Sequence, residues 1–257
     1  MGLDLKDARI VLVRPRNPLN IAAAARAMRN FGLNDLAVVA AYEPVWQDAR
    51  AAPGAEKLLQ NVLVVPRLLD ALDDRTFVLG TSSLSRRQPT QPTFSLSQLG
   101  SLLKKHGAVG RFAVLFGSEK TGLSNQDLSH CHAVLRIPTE PSCPTMNLGQ
   151  AVAVCCYELQ RAVKPDRRKA TKEKTHDTKG VPRLPLRASV GEVMRLLAEW
   201  EKLLGQETGK SEKRECARSL HVRELFLRLG LTSPDVTLLL GVLRDIGWRV
   251  RSAEPRL

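Results

Sequence analysis

Short apolar runs alternating with helix-patterned stretches, from Ile10 to Ala162, constrain the fold of this chain more than any other feature in it. Ile10-Val-Leu-Val13, closed by Pro15 and Pro18, reads as a strand within 8–14. Residues 19–31 are alanine-rich and helical, with Asn20 in the N-cap place and Gly32 as the stop. The alternation continues with a strand at 35–41, a helix over 48–52 and 56–60 broken by Pro53-Gly54, a short strand at 62–65 and a helix opening at 68–72. Residues 76–80 form a strand that runs into a polar loop, 81–93. Then come a helix at 96–105, a strand at 112–116, one helical turn at 124–128, a strand at 133–137 and a long helix at 147–162. Strands alternating with helices predict an α/β fold with a mostly parallel sheet and helices on both faces.

The composition breaks after residue 163. Residues 164–188 are rich in Lys, Arg, Thr and Pro, and read as a basic linker that is also a candidate RNA contact. Helical spacing returns at Val190, Val193, Leu196, Leu197 and Trp200, and again at Leu220, Leu225, Phe226 and Leu229. Gly230-Leu-Thr-Ser-Pro-Asp235 reads as a helix stop followed by a new cap, with a last helix over 236–246. The expected organisation is one large domain at 1–163, the linker at 164–188 and a small helical domain at 189–257.

Charge narrows the class of partner. With 39 Lys+Arg against 26 Asp+Glu, the 257-residue chain carries a formal +13. That surplus favours a polyanion, with counterion release supplying much of the affinity. Aromatics are only 4% of residues, which favours shape and phosphate reading over base stacking. No apolar run approaches the roughly 20 residues that span a bilayer, and no signal-peptide profile is seen at the start of the sequence, so a cytoplasmic protein is expected. The five cysteines lack paired metal spacing and are expected to be reduced. His130-Cys131-His132 with Cys143 is a weak zinc candidate, because three adjacent strand residues cannot all face one ion. No metal is therefore expected.

Two strand ends carry the chemistry-bearing loops. The strand at 112–116 runs into Gly117-Ser-Glu-Lys-Thr-Gly122, and Leu135-Arg-Ile-Pro138 leads through Pro144 to Asn147 and the helix behind it. Loops at strand ends are the usual ligand address of an open α/β sheet. Gly117 and Gly122 leave backbone amides open to a ligand, and Glu119 between them is free to orient a helix, contact a ligand or bond its own loop's amides. The glycines lack the dinucleotide fingerprint, and no Walker-type Lys-Ser/Thr follows. No Ser-His-Asp set is present, and His130 and His132 are expected at the surface. On residues alone, Arg26 is an exposed side chain of an Ala-rich helix.

Together these segments resemble the SPOUT superfamily of RNA methyltransferases, in its SpoU-like branch of tRNA ribose 2′-O-methyltransferases. Asn20-Ile-Ala-Ala-Ala-Ala-Arg26 is similar to that branch's Asn-x-Gly-x-x-x-Arg except at Ala22. Phe116-Gly-Ser-Glu-Lys-Thr-Gly-Leu-Ser124 resembles its second motif. Ile137-Pro138 with Thr145-Met-Asn-Leu148 resembles its third, in which Ser-Leu stands where this chain has Thr145-Met146. Gly80-Thr-Ser-Ser-Leu-Ser-Arg86 resembles a further loop of the branch, with Leu84 where an Arg is usual. The tail from Arg223-Glu-Leu-Phe-Leu-Arg-Leu-Gly-Leu-Thr-Ser is similar to its helical extension.

The resemblance implies a trefoil knot in the C-terminal part of the sheet, an exception to unknotted chains, and a homodimer packed across it. It implies S-adenosyl-L-methionine as cofactor, bound by Thr81, Gly117, Glu119, Gly122, Ile137, Met146 and Leu148. The implied reaction is methylation of a ribose 2′-oxygen, with the tRNA anticodon loop at position 32 as target. Arg26 would sit at the 2′-hydroxyl, Asn20 and Asn147 would hold the geometry, and Glu119 would orient Arg26 or a loop. Ribosomal RNA as substrate, and a non-catalytic RNA-binding protein on the same fold, remain open alternatives.

Overall fold

The computed structural model describes residues 4–41, 56–83, 89–105, 110–163, 187–204 and 212–253. Within them a seven-stranded sheet has the order β3-β2-β1-β6-β4-β7-β5, where β1 is Ala8–Val13, β2 Asp35–Val39, β3 Leu63–Val65, β4 Phe77–Thr81, β5 Thr93–Ser95, β6 Phe112–Phe116 and β7 Ala133–Arg136. Every pairing is parallel. The central strands are buried on both faces, which is why they read as near-continuous apolar runs rather than alternating ones.

Successive residues of a strand point to opposite faces, so two cores form. Ala8, Ile10 and Leu12 pack with α1 (Pro18–Asn30), α3 (Leu99–Lys105) and α5 (Leu148–Val163). Val11 and Val13 pack on the other side with Val190, Val193, Leu196 and Leu197 of α6 (Val190–Leu204), and with Phe226 of α7 (Glu212–Leu229) and Val236 and Leu243 of α8 (Ser233–Ala253). The helices beyond residue 189 therefore cover one face of the sheet. Among the described residues there are also two short helices, α2 (Glu56–Leu59) and α4 (Asn125–Leu128).

Register brings the site to one edge. Ile10 pairs with Val114, Leu79 with Val114, and Thr81 with Leu135. The C-terminal ends of β1, β6, β4 and β7 thus lie side by side, and the loops that leave them share one rim of the sheet. At the opposite rim, Arg9 bonds Asp35 at 2.8 Å and Asp74 at 3.2 Å, and Asp74 also holds Arg75 and Arg111. Arg75 is only 3% exposed, so this network staples the strand starts from within.

Several expectations change. Asn17, not Asn20, caps α1: its side chain accepts from the Leu19 amide, and Pro18 follows at the first helical position, where its missing N–H costs nothing. Thr93-Phe-Ser95, at the end of the loop expected over 81–93 and just beyond it, is an edge strand. Three residues with one large apolar side chain are too few to register as a period. The last helix runs from Ser233 to Ala253, longer than 236–246. His130 is buried, not at the surface. The helix at 48–52, the loop positions Leu84 and Arg86, and the linker at 164–186 lie outside the described residues.

Candidate active site

The end of β1 begins the site. Arg14 takes a left-handed backbone, φ 52°, and its amide bonds Val39 O at 2.8 Å, which turns the chain sharply into Pro15-Arg16-Asn17 and the start of α1. There the carboxylate of Glu119 reaches across from the loop after β6. It accepts from the Arg16 amide at 2.9 Å, the Asn17 amide at 3.1 Å and Asn20 Nδ2 at 2.8 Å. A carboxylate at a helix start meets unpaired amides and the positive end of the helix dipole. Partial burial works against the ionised form, but the Asn20 amide and the backbone N–H groups outweigh it, and Glu119 is held below the usual carboxylate range. Its hydrogen bonds run to this loop and not to Arg26.

The loop that presents Glu119 depends on its glycines. A Cβ on Gly117 would lie 2.0 Å from the backbone carbon of Gly122, and Gly122 itself has φ +66°. The loop closes through the Gly122 amide to Ser118 O at 2.8 Å. It continues into α4 by a capping box: Ser124 Oγ accepts from the Asp127 amide while Asp127 accepts from the Ser124 amide. Asp127, buried, also pairs with Arg14 at the end of β1. The β1 and β6 loops are thus clamped together twice.

Asn147 joins them from the third loop. Its Oδ1 accepts from the Gly149 amide at 2.9 Å, capping α5, and its Nδ2 donates to Asn20 Oδ1 at 2.8 Å. The amide orientations are dictated from both ends. A carboxylate can only accept, so Asn20 must turn its NH₂ toward Glu119; a backbone N–H can only donate, so Asn147 must turn its oxygen toward Gly149. What remains between them is one donor facing one acceptor. α5 can come this close because Gly149 has no side chain: a Cβ there would lie 2.7 Å from Ala23 Cβ.

The candidate cofactor positions line the same rim. Thr81 Oγ1 donates to Leu115 O at 2.8 Å, tying the end of β4 to β6. Ile137 is half-buried against the core that contains buried Leu148, and Met146 is exposed. Asn20, Glu119 and Asn147 are brought into one hydrogen-bonded chain. Arg26 is not among them. Six residues on from Asn20, about 9 Å further along the helix, it is exposed and makes no hydrogen bond or ion pair with a described residue. Ala22 is buried within α1 and its methyl is accommodated there.

Sequence reasoning missed Arg14 and Asp127. Ser124-Asn-Gln-Asp127 carries the capping-box spacing, so Asp127 had a signal; Arg14 had none. His132 is taken up within the fold, its Nδ1 accepting from the Val78 amide at 3.0 Å. Among the described residues no three His, Cys, Asp or Glu side chains form a metal cluster. Burial pushes the thiols of Cys131, Cys155 and Cys156 up, away from the reactive thiolate. No described helix is long and apolar enough to cross a membrane.

Comparison with known proteins points the same way. Residues 7–157 match the SpoU rRNA Methylase family. A tRNA (cytidine/uridine/adenosine-2′-O-)-methyltransferase of Pseudomonas aeruginosa is 31% identical over 243 residues, 94% of each chain. An uncharacterised tRNA/rRNA methyltransferase of Haemophilus influenzae is 36% identical over 159 residues, 62% of this chain and 64% of that protein's own length. The crystal structure of TrmJ from Z. mobilis superposes with a TM-score of 0.76 at 28% identity, covering 93% of this chain and 99% of that one.

Proposed function

The chain belongs to the SpoU rRNA methylase family, and from that premise we propose that it transfers the methyl group of S-adenosyl-L-methionine to a ribose 2′-oxygen of tRNA, in the anticodon loop. The observation that carries this reading is the Glu119–Asn20–Asn147 chain, which ties the loops after β1 and β6 to the start of α5 along one rim. Relatives aligned over 94% of the chain are tRNA 2′-O-methyltransferases by name.

The rim suits such a cofactor. A nucleoside needs backbone donors and acceptors at its edge and apolar contact on its faces; the strand ends at Thr81 and Gly117 offer the former, and Ile137, Met146 and Leu148 the latter. Glu119 and Gly122 belong to the same wall. When bound, the cofactor supplies an electrophilic methyl on a sulfonium. The protein's own part is positioning and electrostatics. Asn20 and Asn147 fix the loops, and Glu119 holds the start of α1. Arg26 would act as a partner and not as a base: a guanidinium is a poor base but a good partner for the alkoxide that develops at the 2′-oxygen.

Arg26 stands away from Glu119 within one chain, and this favours a homodimer in which it reaches the partner's rim. Leu19 on α1 and Tyr157 on α5 are exposed apolar side chains on the two helices that would form that contact. The strand order, with β6 inserted between β1 and β4 and β7 between β4 and β5, is compatible with a threaded, knotted path. We read 1–163 as the methyltransferase unit, 164–188 as its basic linker and 189–257 as a helical part seated on the sheet, in a cytoplasmic enzyme.

The test is transfer of labelled methyl from S-adenosyl-L-methionine to tRNA, with mass mapping of modified nucleotides in both tRNA and rRNA. Arg26→Ala should lower turnover at least 100-fold, an amount typical for loss of one transition-state charge contact, with cofactor affinity unchanged. Unchanged turnover removes Arg26 from the reaction, and a product found only in rRNA corrects the substrate.

A further inference from the structure

Behind the rim, two consecutive residues of α7 bond the segments that lead to it. Glu224 Oε1 accepts from Gln91 Nε2 at 3.0 Å, and the same nitrogen donates to Leu128 O at 2.9 Å. Arg223 Nη1 donates to Ser129 Oγ at 2.9 Å and lies 3.1 Å from His130 Nε2. Gln91 and Ser129 are buried, as is His130. Burial, reinforced by the charge of Arg223, pushes His130 down to about 3, so the ring is neutral and Nε2 accepts from the guanidinium.

These partners belong to two different segments. Ser129 and His130 end the turn that begins at Gly122 and leads into β7, and Gln91 lies between the Thr81 loop and β5. Leu128 and Cys131 of that turn are packed hard over β4: a Cβ on Gly80 would meet Leu128 Cδ2 at 2.8 Å and Cys131 Sγ at 2.9 Å. A shift of the turn by a few tenths of an ångström therefore reaches Gly80 and Thr81 directly. From the other side the turn is gripped by Arg14 through Asp127.

We infer that Arg223 and Glu224 form a clasp that sets the spacing of the Thr81 and Gly117 loops, and so act as positioning residues for cofactor binding. The clasp rests on the cofactor reading above. It makes the helical tail part of the cofactor site's framework, whatever surface it offers to RNA. Loss of either hydrogen-bonding partner loosens the turn, and cofactor affinity falls although neither residue touches the cofactor.

The experiment is calorimetric titration of S-adenosyl-L-methionine into the full chain, with steady-state kinetics beside it. Glu224→Ala should raise the cofactor Kd about three- to tenfold, the range expected for one partly buried hydrogen bond. Glu224→Gln, which keeps an acceptor for Gln91, should restore it to within about twofold of the parent. Gln91→Ala, which also removes the bond to Leu128 O, should weaken binding at least as much as Glu224→Ala, and the double variant should be no worse than Gln91→Ala alone, because Glu224 acts through Gln91. KM for RNA should stay put. A folded Glu224→Ala protein with parental cofactor affinity overturns the clasp, as does a Gln variant as weak as the Ala one, or a loss confined to KM for RNA. If Glu224→Ala does not fold, Glu224→Gln and Arg223→Lys carry the test, and cofactor affinity more than about tenfold weaker in both would overturn the hydrogen-bonding account. Failure of the parent chain itself to bind the cofactor would overturn the cofactor reading first, and is seen without any variant.

Discussion

Replacing Asn147 by Asp separates the two jobs of that side chain. The oxygen that caps α5 is retained, since Asp and Asn are equally good caps, and its charge at the helix start adds about 0.3–1 kcal/mol. The donor to Asn20 is lost. Asn20 cannot compensate by flipping, because its NH₂ is already committed to Glu119 at 2.8 Å. One hydrogen bond of about 0.5–1.5 kcal/mol disappears. A second carboxylate also arrives near Glu119, costing about another 1 kcal/mol at the water-like dielectric of an exposed site.

The loss of about 1.5–2.5 kcal/mol thus falls on loop geometry while helix stability is held or raised. At about 1.4 kcal/mol per tenfold, kcat/KM should fall roughly 10- to 60-fold. The melting temperature should stay within about 2–4 °C of the parent, the shift that about 1 kcal/mol produces in a protein of this size. Asn147→Ala, losing cap and donor together, should fall on both measures. Labelled methyl transfer and thermal unfolding on the same preparations decide it. Asn147→Asp with parental kcat/KM would refute the hydrogen-bonded chain as a determinant of activity, and a melting point as low as that of the Ala variant would refute the cap.

Two further perturbations follow from the geometry. Gly117→Ala puts a methyl within 2.0 Å of the Gly122 backbone, an overlap no rotamer relieves; calorimetry should find cofactor binding weakened more than about 100-fold with far-UV dichroism unchanged, and parental affinity would show that the loop is not the binding wall. Asp74 is the other. Burial disfavours its charge, but Arg75, Arg9 and Arg111 outweigh that and hold it at about 2, below its ordinary 3.8; a depressed carboxylate stabilises the fold above its unfolded pKa, so this contribution should vanish as pH falls from about 4 through 2. Urea unfolding across that window should lose about 1 kcal/mol after allowance for solvent screening, and Asp74→Asn should flatten the slope; an unchanged slope would remove the staple from the acid limb.

Much of the fold was legible because buried parallel strands write themselves as apolar runs: residues 112–116 were read without error, and β1, β4 and β7 to within one or two positions. The cap of α1 was misassigned, although Asn17-Pro18 carried the stronger signal. Asn20 occupies the third helical position, where its amide is free for Glu119. The short edge strand β5 was invisible because pairing with β7, not side-chain pattern, makes it a strand. The RNA methyltransferase reading and the parallel α/β architecture are borne out by the family match and by the sheet. Convergence of Asn20, Glu119 and Asn147 could not be read from spacing, since they lie 99 and 127 positions apart along their bonded pairs. Nor could the burial of His130, which depends on a helix almost a hundred residues downstream.

Gly149 gives the molecule an unexpected tuning screw. The gap between the two long helices, set where a bare backbone lies against Ala23, fixes how far an amide two residues upstream can stretch toward its neighbour. Widening that gap by one methyl would draw Asn147 off Asn20 without altering any polar residue. A change that looks like interior packing would then register as a change in turnover, so variation in the speed of this enzyme should be sought between its helices as well as in its loops.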